Sequence, residues 1–240
     1  KNAAGGNGHV EDWQSTRRIT GNWQSLGDLQ PRMLNFLENH DEPRFTSPEI
    51  GNNAEHEFSA LCPSLMFNTA PFMLYFGQEV GEAGMDEEGM SGYNCRTTIF
   101  DWWKVESITA LYNEIHGKPS LNDRQRALLQ RFRELLKFAV TEDAVGRGVT
   151  YDLCYCNTNS KGFDKDRHFA FLRDFEDSTL LFVSNFSSID ADMELWIPEH
   201  AFDWLGLATN QHVNPDTAIK VHVKAYDLTI LRLQTDNRSI

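Results

Sequence analysis

The chain has 240 residues, 40% of them hydrophobic and 24% charged, close to globular averages of roughly 45–50% and 25%. Disordered, collagen-like and low-complexity classes are excluded, and length divided by about 150 gives one to two domains with enough chain to bury a core without staples. Twenty-two Lys and Arg against 35 Asp and Glu leave a formal charge of −13. That charge is a poor match for a nucleic-acid backbone or an anionic membrane surface, and it suits a soluble protein acting on neutral or cationic ligands.

No window of about 18 apolar residues occurs, so no transmembrane helix is expected. No signal-peptide pattern is visible, and the chain starts at Lys1 rather than Met, which reads as processing or as a cut from something larger. Cys154-Tyr155-Cys156 is too tight for a zinc pair and no second pair succeeds it. Cys62, Cys95, Cys154 and Cys156 therefore read as free thiols.

The first stretch, Lys1 to Gly27, is polar, with a loop signal at Gly5-Gly6-Asn7-Gly8 and a short helix punctuated by Trp13, Ile19 and Trp23. Arg32–Leu37 is a short apolar run, read as a buried strand. It ends in a polar burst, Glu38-Asn39-His40-Asp41-Glu42-Pro43-Arg44. From about Asn53 the apolar residues Ala54, Phe58, Leu61 and Leu65 fall on one helical face, with a kink or break expected at Pro63. Pro71–Phe76 reads as a second buried strand stopped by Gly77. The loop after it is rich in Gly and acid, from Gly81 and Glu82 to Asp86, Glu87, Glu88 and Gly89. Its carboxylates lack the alternation of a calcium loop, so a solvated loop is expected. The strongest helix runs from Asp123 to about Val140, with the stripe Leu128, Phe132, Leu135, Leu136 and Ala139 and a capping-box pattern at Ser120 and Asp123. This alternation of buried strands and helices argues for a parallel sheet.

After about Gly146 the rhythm changes. Short β-rich runs at 149–153, 168–172, 179–183, 193–197, 219–223 and 228–233 alternate with turn residues such as those at 174–178 and Asn214-Pro215-Asp216. They read as an antiparallel sandwich-like module. The fold class is thus α/β followed by all-β, divided into residues 1–145 and 146–240.

The polar burst is the most informative segment. Asn39, His40 and Asp41 stand where a buried strand leaves its sheet. In α/β folds, and above all in (β/α)8 barrels, that end of the strands builds the active site. An Asp beside a His can stabilise positive charge or bind a sugar hydroxyl. The plainer alternative is that Asp41 caps a turn before Pro43 and His40 is a rim residue.

Phe36-Leu37-Glu38-Asn39-His40-Asp41-Glu42-Pro43-Arg44 resembles the fourth conserved region of the α-amylase family, glycoside hydrolase family 13, which lies just after strand seven of the barrel. Ala70–Gly81, with Tyr75-x-Gly77-x-Glu79-x-Gly81, resembles the strand-eight segment of that family. The stretch from Arg96 to Trp102-Trp103 is a looser match to the Arg-rich, Trp-ending stretch beyond strand eight. Phe169–Arg173 and Val183–Phe186 resemble its C-terminal sandwich domain. The resemblance implies the last two βα units of a (β/α)8 barrel plus a C-terminal β-sandwich, from an enzyme that acts on starch, glycogen or maltooligosaccharides by a retaining mechanism. It implies a catalytic role for Asp41, as the carboxylate that orients sugar hydroxyls and stabilises an oxocarbenium-like transition state. It places His40 on a sugar hydroxyl and Arg44 at the substrate-binding end of the motif.

The departures matter as much. The family's nucleophile motif, with an Arg two residues before the Asp, and its acid/base Glu do not occur here. A retaining mechanism needs two carboxylates about 5–5.5 Å apart, and Asp41 cannot serve as both, so the chain alone is expected to be inactive. No cofactor or metal is expected in this chain, calcium being implied only for the missing part of a parent enzyme. The partners implied are an α-glucan and the missing N-terminal barrel half, with neither nucleic acid nor membrane. Edges cut out of a barrel also imply self-association. The rival reading is a non-catalytic glucan-binding or scaffolding module, or one half of a split enzyme. Trp102 and Trp103 suit either sugar stacking or packing, and Asn185-Phe186-Ser187 and Asn237-Arg238-Ser239 fit the glycosylation triplet.

Overall fold

A computed structural model describes residues 15–85, 94–100, 104–207, 209 and 213–233. The expectations for Gly5–Gly8, Trp13, Asp86–Gly89, Trp102-Trp103 and Asn237 lie outside those residues.

Helix α1 (Arg17–Leu26) is tied at its start to the far half of the chain. Thr16 Oγ1 donates to the His168 carbonyl at 3.0 Å, and Ser15 Oγ donates to Asp166 at 2.6 Å. Ile19 and Trp23 turn toward the core, the Trp23 ring lying 4.8 Å from Phe67.

Strand β1 (Asn35–Phe36) pairs in parallel with β2 (Phe72–Met73), Asn35 opposite Phe72 and Phe36 opposite Met73. Both strands are shorter than the apolar runs suggested. Burial along β1 is also one-sided. Leu37 is enclosed, whereas Leu34 and Phe36 are 50% and 40% exposed. A period-two strand presents its residues alternately to two faces, and α2 (Phe58–Met66) packs behind only one of them.

Asn53 accepts from the Glu55 N–H at 3.0 Å, and a 3-10 turn leads into α2. Ala54, Phe58 and Leu61 are buried and Leu65 partly so. The break expected at Pro63 does not occur, and the helix runs on to Met66. Proline removes the bond to the carbonyl four residues back, and the enclosed neighbours Leu61, Cys62 and Met66 hold the turn in its place.

Helix α3 (Glu106–Ile115) was not anticipated; Ala110 and Leu111 pack against Val80, Leu121 and Leu129. Helix α4 (Asp123–Thr141) forms as expected, with Leu128, Phe132 and Ala139 buried. Its capping box is Asn122 with Gln125 rather than Ser120 with Asp123. Asn122 Oδ1 accepts from Gln125 N at 2.9 Å and Gln125 Oε1 accepts from Asn122 N at 3.0 Å. Ser120 instead gives its N–H to Glu114 at 2.7 Å, which places it outside the helix.

A short helix, α5 (Asp143–Gly146), precedes the antiparallel part. Strands β3 (Val149–Asp152), β4 (His168–Phe175), β5 (Ser178–Asn185) and β8 (Leu228–Leu233) form one sheet in the order β3-β4-β5-β8. Strands β6 (Ala191–Leu195) and β7 (Ile219–Val223) form a second. Each of the expected strands exists and pairs antiparallel. Helix α6 (Glu199–Leu205), between β6 and β7, is an addition to the expected all-β pattern. No helix among the described residues is long and apolar enough to cross a membrane.

One hydrophobic core crosses position 145/146. Phe67, after α2, meets Phe169 and Phe171 of β4 edge-on at 5.0 Å each, and Phe171 stacks on Phe182 of β5 at 4.8 Å. Arg173 is fully buried beside them. It donates to the carbonyls of Ala144 (2.9 Å), Val145 (2.6 Å) and Phe67 (3.2 Å) and to Thr150 Oγ1 (2.7 Å). The four thiols are free; Cys62, Cys95 and Cys154 are buried and Cys156 half-buried. Burial pushes the Cys62 thiol up to about 12 and Cys156 to about 11. Asn185, of the glycosylation triplet, is enclosed too, its amide donating to the Ile189 carbonyl at 2.8 Å.

This packing can be probed at two residues. Truncating Phe67 to Ala empties the contact between α2 and β4 and is expected to cost about 3–5 kcal/mol, measured by urea unfolding. His168 is buried, which holds it below its ordinary value of 6.5, and its Nδ1 accepts from the Asp164 N–H at 2.9 Å. A histidine kept neutral in the fold stabilises fully above its unfolded value and progressively less as pH falls below it. Stability should therefore decline as pH drops from about 6.5 toward 5, and His168→Gln should flatten that part of the profile.

Candidate functional site

The site is built where β1 leaves its sheet. Glu38, the first residue of the polar burst, is buried, and so is Arg44 at its end. Arg44 Nη1 meets Glu38 Oε2 at 2.8 Å, Nε donates to Thr97 Oγ1 at 2.9 Å, and Nη2 donates to the Phe76 carbonyl at 2.8 Å. The guanidinium lies 4.3 Å from the centre of the Tyr75 ring. The other carboxylate oxygen of Glu38 accepts from the Phe45 N–H. One ion pair thus closes the loop between Glu38 and Arg44 on itself.

The network extends through the end of β2. Gly77 has φ +84°, and a Cβ there would stand 3.0 Å from Glu82 Cβ, so this turn requires glycine. The reversal brings Glu82 under the site. Glu82 is buried rather than solvated, against the expectation for the acidic loop. It accepts from Gly84 N at 2.8 Å, from Thr97 Oγ1 at 3.3 Å and from Ser107 Oγ. Tyr75 donates its phenol proton to the Thr97 carbonyl at 2.8 Å. Burial is the main cause that raises its pKa. Gln78, within the same turn, donates to the buried Glu57.

On this base the loop crest turns outward. Asn39 Oδ1 accepts from the N–H groups of Asp41 and Glu42, each at 2.8 Å. It is Asn39 that caps the turn, which leaves the Asp41 carboxylate uncommitted to the backbone turn. His40 and Asp41 are both exposed, His40 Nε2 standing 3.3 Å from Asp41 Oδ2. A carboxylate acceptor and an imidazole thus stand side by side on the crest. Arg44, expected at the substrate-binding end of the motif, has its guanidinium fully enclosed and hydrogen-bonded within the protein, beneath the crest.

Sequence reasoning missed Glu38, Thr97 and Glu82. The available signal was a carboxylate six residues before an arginine at a strand end, a spacing at which both can turn inward. No group of three or more His, Cys, Asp or Glu side chains among the described residues is placed to hold a metal ion.

No protein-family model matches the sequence, and no curated protein matches it. The fold, by contrast, is shared with solved structures. The protein AmyP, crystallised with maltose, aligns over 91% of this chain and 45% of its own at 17% identity, with a TM-score of 0.60. The α-amylase of Geobacillus thermoleovorans, complexed with acarbose, aligns over 93% of this chain and 44% of its own at 16% identity, TM-score 0.59. A cyclic α-maltosyl-(1→6)-maltose hydrolase from Arthrobacter globiformis aligns over 96% and 41%, at 16% identity and TM-score 0.55. The chain therefore shares the fold of part of these proteins, and it spans less than half the length of each.

The buried pair can be separated from the crest by substitution. Arg44→Leu strands the Glu38 charge and is expected to cost about 3–5 kcal/mol, whereas Asp41→Asn, on an exposed side chain, should stay within about 0.5 kcal/mol of the parent. Urea unfolding of both variants checks the contrast.

Proposed function

We propose that this chain is the C-terminal part of an α-glucan-acting glycosidase or transglycosidase of the α-amylase family. In this reading residues 1–145 supply the last two βα units of a (β/α)8 barrel and 146–240 a β-sandwich domain. Asp41 is the carboxylate that orients two sugar hydroxyls and strengthens its hydrogen bonds as the oxocarbenium-like transition state forms. His40 binds a hydroxyl in the same subsite. The observation that carries the reading is the Asn39-His40-Asp41 crest at the C-terminal end of a parallel strand, in a fold aligned to the α-amylase of Geobacillus thermoleovorans over 93% of its length. The two other carboxylates of a retaining mechanism are absent from the matching motifs of this chain, so on its own it is inactive.

Two measurements test this. Purified chain should release no reducing sugar from soluble starch, and neither should Asp41→Asn; release that depends on Asp41 would sink the assignment of roles. Maltotriose titrated into the labelled protein should shift the His40 ring resonances, and Asp41→Asn should weaken that response at least tenfold.

The missing barrel half is the proposed partner of the uncovered sheet face, where Leu34 and Phe36 are exposed. Apolar faces and unpaired strand edges seek partners. Alone at high concentration the chain is expected to self-associate, and a monomer throughout a sedimentation-velocity concentration series would refute this.

A further inference from the structure

The antiparallel part brings three metal-ligating atoms to one point, apart from the crest. Tyr151 lies on β3, Tyr155 in the turn after it, and His200 in the first turn of α6. The phenol oxygens of Tyr151 and Tyr155 contact each other, and each contacts His200 Nε2. The three rings surround that point, with centroids 5.8–6.3 Å apart. Tyr155 and His200 are exposed and Tyr151 is half-buried, so an ion in solution can reach them. The backbone that carries them is held from beneath. Asn157 is fully buried, its amide donates to the carbonyls of Leu153 (2.9 Å) and Trp196 (3.0 Å), and its Oδ1 accepts from Trp196 N at 2.8 Å. That clasp locks the Tyr155 turn to the strand end before α6. Within the turn, Asp152 accepts from Cys154 N at 2.7 Å.

Hydrogen bonding alone does not account for this convergence. An imidazole nitrogen carries either one in-plane lone pair or one proton, so it makes one well-directed hydrogen bond. Here it faces two phenols that also face each other. A cation between them is met by lone pairs from all three atoms at once. The surroundings favour positive charge. Asp152, Glu199 and Asp203 adjoin the trio in sequence, neither Lys nor Arg occurs in 148–160 or 190–219, and the whole chain carries −13. The donor set then selects the ion. Calcium and magnesium take carboxylate, carbonyl and water oxygens, whereas imidazole suits iron, copper, zinc and nickel. Two phenolates are hard, anionic ligands that match ferric iron, which tyrosine also ligates in haem proteins. We propose that Tyr151, Tyr155 and His200 form a binding site for a ferric ion, with water completing its coordination. On binding, each phenol releases its proton to solvent, and the two phenolates offset two of the three positive charges. His200 binds as the neutral imidazole through Nε2, with its proton on Nδ1. The site is separate from the Asp41 crest and does not depend on the function proposed above.

Ferric nitrilotriacetate titrated into the full chain tests this. A phenolate-to-iron charge-transfer band should rise in the visible and saturate at one iron per chain, and resonance Raman excitation within it should show tyrosinate ring modes. Tyr151→Phe and Tyr155→Phe, which keep the rings, and His200→Gln should each weaken iron binding about tenfold or more. Tyr112, 61% exposed beside His116 on α3, controls for iron taken up by any surface tyrosine, and Tyr112→Phe should leave the titration unchanged. Circular dichroism of each variant confirms folding. The absence of a band at saturating iron overturns the site. So does a band that survives Tyr151→Phe and Tyr155→Phe combined, or one that is lost in Tyr112→Phe.

Discussion

The Glu38–Arg44 ion pair, closed off from water, is the constraint on which the candidate site depends. Two charges taken into a protein interior are tolerable only when each is matched and its remaining hydrogen-bonding groups are satisfied. Here Thr97, the Phe76 carbonyl and the Phe45 N–H supply those partners. Because the partners come from the end of β2 and from the segment after it, one pair fixes three stretches of chain at once. His40 and Asp41 are exposed; Asn39 caps their turn, and the buried pair beneath anchors both ends of the loop.

A second buried arginine plays the corresponding part between the two halves. Arg173 reaches from β4 to the carbonyls at the end of α5 and after α2, groups that a sheet or helix ladder would otherwise leave without donors. Around it the phenylalanines of both halves share one core. Among the described residues the helical half contributes two short parallel strands, and it packs against the antiparallel half through the shared core.

The sequence made the antiparallel strands legible because period-two patterns and turn residues agreed there, and α4 because its apolar stripe is long. It overstated β1 and β2, since an apolar run reports burial of a strand in a finished sheet and not how many neighbours that strand has. Helices α3 and α6 escaped notice because each is short and one of them, α3, buries none of its residues fully. At the site, Asn39, His40 and Asp41 were legible as polar residues at a strand end. The inward turn of Glu38, Arg44 and Glu82 was not, because a charged residue in a polar stretch looks solvated until the fold brings up the further partners, Thr97, Ser107 and the Phe76 carbonyl, from well along the chain.

The thiols carry a consequence for how this protein can be handled. The reactive form of cysteine is the thiolate, and burial pushes Cys62 up to about 12 and Cys156 to about 11. At neutral pH the native chain therefore offers an electrophile almost nothing to attack at these positions. Cys62 lies in α2 and Cys154 beside β4, so the two sit in opposite halves of the shared core. Alkylation of each thiol becomes a clock for the opening of its own half, and the ratio of the two rates reports whether the halves come apart together.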